Sequence, residues 1–191
     1  MKFTYPVPGG TITGRFNDPS VATPSRIHGA LDIAPTKQRD IVAPERGLLH
    51  AWVAIRPQEG MFWPADPFVH QRGYAFANYF YDMFGGVLVL QVPDPSTGAV
   101  SRTHVITHSY GNQLFNWRPF ANVRKHWVEQ PADDRFPIFA VYTDQILVSD
   151  GDVIGGVGNA GFSTGSHIHW EVHNGATWNA HRNRIDAEEF L

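Results

Sequence analysis

The chain has 191 residues, enough for one domain with a sizeable core, and 42% of them are hydrophobic, which excludes a disordered chain. The formal net charge of −3 leaves no basic footprint for nucleic acid. With no cysteine there is neither a disulfide scaffold nor a thiolate zinc site, so His and carboxylate are the plausible metal ligands.

Residues 1–25, with their prolines, glycines and threonines, read as a strand and loops wrapping a core. The opening Met1–Gly10 has no apolar h-region, so no secretory signal is expected there. Arg15 and Asn17 read as ordinary loop residues. In Arg26–Ala34, His28 and Asp32 offer one nitrogen and one oxygen donor around a turn-forming Gly29. A catalytic zinc takes three protein ligands and keeps a position for water. Equally, His28 fits a surface loop and Asp32 a turn-capping carboxylate. Ile41–Ile55 alternates loosely and reads as one or two strands.

A long insert at about 56–85 follows, rich in aromatic residues from Phe62 to Phe84, which fit either a substrate groove or a small satellite core. His50 and His70 have no motif context and read as surface or core histidines. Gly86–Val92, the most apolar run, is strand-sized and not a membrane span. It forms a hairpin with Val100–His108 over the turn Pro93–Gly98. His104 and His108 share parity on the second strand, roughly 13 Å apart along it. The position of His108 at the strand's end favours it over His104 as a site residue. A second insert at about 112–142 reads as a loop or helical lid, with Lys125-His126-Trp127 in loop.

Beyond Ile146, Gly155, Gly156, Gly158, Gly161 and Gly165 allow tight turns and lead into a strict alternation. His167, His169, Glu171 and His173 fall on one parity; Ile168, Trp170 and Val172 fall on the other. This is a strand with one face on a core and an imidazole-rich face opposite. At same-face spacing of roughly 6.5–7 Å, one imidazole can bind a metal while its neighbour stands beside water there. A polar face that merely carries histidines fits the pattern too. Glu171 and His173 either orient ligands from behind or line a solvated face.

Taken in order, His28-x-x-x-Asp32, then His108, then His167-x-His169 in its Gly-Ser-Thr-Gly context resemble the lysostaphin-like zinc endopeptidases, which cut bacterial cell-wall peptides. Phe16 after a Gly-Arg pair, Asp40–Gly47, Asp150–Gly158 and the closing Arg184–Leu191 are similar to further segments of that family. Ile106, Ser109 and Ser166 depart from its pattern. The resemblance implies a mostly β fold: one antiparallel sheet domain over 1–191, with the two inserts flanking a groove. It implies that His28, Asp32 and His169 bind one Zn2+ and that His108 and His167 do acid-base work. The implied partner is the peptide of peptidoglycan, with no nucleic acid and no transmembrane span. A catalytically inactive peptidoglycan- or partner-binding domain of the same fold is the alternative, and a structural virion component with zinc holding the fold is a third. The lack of a signal peptide leads to the expectation of a bacteriophage wall hydrolase, an endolysin or a virion-carried enzyme.

Overall fold

The computed structural model describes residues 2–19, 28–57, 79–109, 118–131, 137–160, 163–176 and 183–191. In chain order the strands are β1 (Thr11–Gly14), β2 (Leu31–Ala34), β3 (Asp40–Val42), β4 (Gly47–Pro57), β5 (Tyr79–Pro93), β6 (Val100–Ser109), β7 (Lys125–Pro131), β8 (Pro137–Thr143), β9 (Ile146–Val148), β10 (Val153–Gly156), β11 (Ile168–Asn174) and β12 (Arg184–Ile185). A short 3-10 helix over Ala187–Phe190 follows, capped by the Asp186 carboxylate on the Glu188 N–H. Among the described residues no helix is long and apolar enough to cross a membrane.

Among the described residues ten strands form one sheet in the order β1-β2-β11-β6-β5-β4-β8-β7, with β12 added to β11 and β9 to β4; β3 and β10 pair separately. Every pairing is antiparallel. The expected hairpin is β5–β6. Its turn is held by Asp94 Oδ1, which accepts from the N–H groups of Ser96 and Thr97 at 2.9 and 3.0 Å.

The two faces of the sheet have different chemistry. Leu31 and Ile33, Leu49, Ala51 and Val53, Leu88 and Leu90, Ile106, and Ile168, Trp170 and Val172 share one buried core with Phe3, Ile41, Ile154 and Val157. Burying side chains of this size stabilises by roughly 1.5–3 kcal/mol each. The strands' opposite parity makes the other face: Asp32, His169, Glu171, His173, Thr107 and Val105. This face continues through Val87 and Val89 to Trp52.

Two expectations on the inserts change. Lys125–Pro131 is a strand and not a loop or helix, because it pairs along its whole length with β8 at the sheet's end. The first insert begins and ends in strand: β4 runs to Pro57 and β5 starts at Tyr79. Most of its aromatic residues, and His70, lie outside the described residues.

Candidate metal centre

Strand pairing assembles the centre. His169 on β11 stands directly opposite Asp32 on β2, although 137 residues separate them. Asp32 Oδ1 lies 2.9 Å from His169 Nδ1 and 3.1 Å from His28 Nε2, and the two ring nitrogens are 3.3 Å apart. One donor atom from each of the three residues lies within 4.8 Å of the others. His28 is fully buried just before β2, while Asp32 and His169 are partly open.

The hydrogen bonds of the remaining ring nitrogens decide what these donors present. His28 Nδ1 sits 2.7 Å from the Arg15 carbonyl, which can only accept, so that nitrogen carries the proton and Nε2 its lone pair. His169 Nε2 donates to Glu171 Oε1 at 3.2 Å, which leaves Nδ1 as the lone-pair nitrogen of the neutral ring. Two ring nitrogens and a carboxylate oxygen therefore converge, an arrangement that either a cation between them or a proton on His169 Nδ1 donated to Asp32 satisfies. The electrostatics agree. Burial alone would lower the pKa of His169, but Asp32 and Glu171 outweigh it and hold the ring above its ordinary value. Burial would likewise raise Asp32, yet the contacts to His169 and His28 hold its carboxyl well below the usual carboxylate range. A field that favours cationic charge, on two nitrogens and one oxygen with no sulfur, fits the donor set of a catalytic zinc.

Two further histidines stand beside these three. The His108 ring lies 4.8 Å from that of His167 and 6.1 Å from that of His169, centre to centre. By strict alternation His108 belongs with His104 and Ile106 on the core face. It reaches the other face because its backbone is left-handed, with φ 62°. Its Nδ1 donates to the Ala160 carbonyl at 2.8 Å, leaving Nε2 as an acceptor. Burial pulls its pKa down to about 4, so the ring is neutral at pH 7. The Ala160 carbonyl is itself placed against Gly85, where a Cβ would come within 2.5 Å of it and where φ is 64°. His167 donates from Nδ1 to the Gly165 carbonyl at 2.8 Å, and its Nε2 is 4.0 Å from Asp32 Oδ1.

His104, the competing histidine, is held elsewhere. It is wholly buried on the core face, accepts from Trp170 Nε1 at 3.2 Å and donates to Glu45 Oε2 at 2.8 Å. Arg102 makes a two-pronged contact to the same Glu45 carboxylate at 2.8 and 2.9 Å. Glu171 and His173 are not solvated, as they are 2% and 0% exposed. Glu171 Oε2 accepts from His173 Nε2 at 2.7 Å, and Oε1 from Arg184 Nη2 at 2.6 Å. Burial would raise the Glu171 carboxyl, but His169, His173 and Arg184 together bring it down to about 2. His50 is partly buried on β4 with its Nδ1 unpaired among the described residues, and His126 on β7 pairs with Asp144, so neither joins the centre.

Sequence reasoning missed the carbonyls of Arg15 and Ala160, since no residue type signals a backbone acceptor. It also missed Arg184 and Glu45, whose charges gave no spacing to the histidines they serve.

No protein-family model matches the sequence, and no curated protein matches it. Solved structures match the fold. The catalytic domain of the antimicrobial peptidase lysostaphin from Staphylococcus simulans aligns over 96% of this chain and 92% of that domain, with a TM-score of 0.52 at 14% identity. Lysostaphin itself aligns over 96% of this chain and 50% of its own, with a TM-score of 0.51 at 14% identity. A zinc-containing peptidase from Vibrio cholerae aligns over 98% of this chain and 39% of its own, with a TM-score of 0.51 at 16% identity. The fold is thus the lysostaphin-like one, as the sequence led us to expect.

Proposed function

We propose that this protein is a zinc-dependent endopeptidase that hydrolyses peptide bonds in bacterial peptidoglycan. The observation that carries the reading is the meeting of His28, Asp32 and His169 within 4.8 Å, with His108 and His167 beside them. The peptidase fold of the structural neighbours and the ordered motifs support it. His28 Nε2, Asp32 Oδ1 and His169 Nδ1 would hold the metal. Zinc in such a site supplies a Lewis acid that polarises a carbonyl and lowers the pKa of water to about 7.

The chain's own residues do the rest. Arg15 and Glu171 fix the two imidazoles in the tautomers that point lone pairs inward. His108, neutral and with only Nε2 open, takes the proton from the attacking water. It can then return that proton to the departing amine, so that the C–N bond breaks without leaving an amide anion. His167, whose Nδ1 is tied to Gly165, turns Nε2 toward the reacting carbonyl and, as the imidazolium with a proton on both nitrogens, donates Nε2–H to the charge that develops on its oxygen.

The deciding experiment measures zinc content and release of new amino termini from purified peptidoglycan. Near one zinc per chain together with hydrolysis supports the enzyme. Zinc or wall binding without hydrolysis would establish the inactive binding domain instead.

A further inference from the structure

The structure assigns Arg184 as a positioning residue that ties the two ligand-bearing segments together, an assignment that rests on the zinc reading above. Arg184 comes from β12, where it pairs with His173 and so projects from the sheet face that carries His169. Its Nη2 donates to Glu171 Oε1 at 2.6 Å, the same oxygen that accepts from His169 Nε2. The guanidinium therefore fixes the carboxylate that fixes one ligand.

The other end of the same group meets the second ligand segment. A Cβ built on Gly29 would lie 1.9 Å from Arg184 Nη1 and 2.7 Å from its Cδ and Cζ. Nη1 and the end of the stem thus lie directly on the Gly29 backbone, one residue after His28. Gly29 is needed here for space, because any larger residue would displace a cation whose other nitrogen is held by Glu171. Through one planar group, a shift at residue 29 moves Glu171, and a shift of Glu171 moves His169.

The network is costly to hold. Arg184 Nε and His173 Nδ1 are buried without a hydrogen-bond partner among the described residues. An unsatisfied buried polar group costs stability and calls for an explanation. Three donors converge on one carboxylate that is 2% exposed, which fixes its orientation at the expense of those two nitrogens. Rigid placement of a ligand accounts for such an arrangement, and carboxylates behind metal-bound histidines commonly serve this purpose.

The test is a double-mutant cycle read as zinc affinity, by competition with a chromophoric chelator, on the full chain. Arg184→Ala should weaken zinc binding about 10–100-fold, and Arg184→Lys should recover only part of it, since a point cation cannot span both contacts. Gly29→Ala alone should weaken zinc binding in the same direction. In the Arg184→Ala background it should do little more, because the group it displaces is gone. Thermal unfolding of zinc-free Arg184→Lys, which keeps a cation beside the buried Glu171 carboxylate, should differ from wild type far less than its zinc affinity does. Wild-type affinity in Arg184→Ala, or fully additive effects in the cycle, would overturn the assignment while leaving the enzyme reading intact. A wild-type protein that binds no zinc would overturn both. Should Arg184→Ala not fold, Gly29→Ala and Arg184→Lys decide: unchanged affinity in both overturns the assignment.

Discussion

Five histidines fall within reach of the sequence motifs, and their local bonds set them apart. His28 and His169 each spend one nitrogen on a fixed acceptor and present the other inward, whereas His108 and His167 are tied at Nδ1 and leave Nε2 open. We predict that His108→Ala and His167→Ala each retain zinc and each lose turnover by about 10²–10⁴, the range for a lost acid-base group. The double variant should be little worse than either single one, as groups acting as a unit are non-additive. Zinc content beside peptidoglycan turnover for the three proteins checks this. His104→Ala should behave in the opposite way, keeping its chemistry per folded molecule while losing stability, because it leaves the buried Trp170 donor unpaired and removes one of the partners of the Glu45 carboxylate, which Arg102 still holds. The His-x-His alternation made His167 and His169 legible as a pair. The choice of His108 was harder, because parity alone puts it with His104. Only its φ of 62°, a property of the folded backbone, brings it to the site.

At the scale of elements, β2, β11 and β6 matter because adjacent strands place Asp32, His169 and Thr107 in one row. The apolar parity of β11 was plain in the sequence, and so was the β5–β6 hairpin. The β7–β8 pair was not legible, since Lys125–Pro131 mixes charges, aromatics and a terminal proline, and only pairing with β8 makes it a strand. Two predictions belong here. Gly85→Ala, on β5, should strain a left-handed backbone and push on the Ala160 carbonyl that holds His108. Turnover should fall while zinc content holds, and equal zinc with undiminished turnover would refute that coupling. The second concerns the Glu45 loop between β3 and β4. Burial would raise the Glu45 carboxyl, but hydrogen bonds from His104 and Arg102 outweigh it and bring it down to about 2, against 4.5 unperturbed. A group lowered on folding contributes stability that is full above its unfolded pKa and disappears as pH falls through the folded one. The wild type should therefore exceed Glu45→Gln in unfolding free energy at neutral pH. That margin should shrink between pH about 4.5 and about 2. Denaturant titrations of both proteins across that range measure it, and a margin that ignores pH would exclude Glu45 as the source.

For the molecule as a whole, the proposed ligands link segments 137 residues apart, so metal binding closes a very long loop. Chelation should lower the melting temperature and added zinc should restore it. The gain follows RT ln(1 + [L]/Kd), about 4 kcal/mol at a free zinc concentration a thousandfold above Kd. A melting curve indifferent to zinc would show that the metal and the fold are uncoupled. The placing of β11 between β2 and β6 has one more consequence, and it concerns time. At a synthesis rate of about 5–20 residues per second, His169 leaves the ribosome about 7–30 s after Asp32. Throughout that interval the growing polypeptide holds only part of the proposed centre. On the reading proposed above, nascent and prematurely terminated chains could not hydrolyse a peptide bond, and that capacity would arrive only with β11.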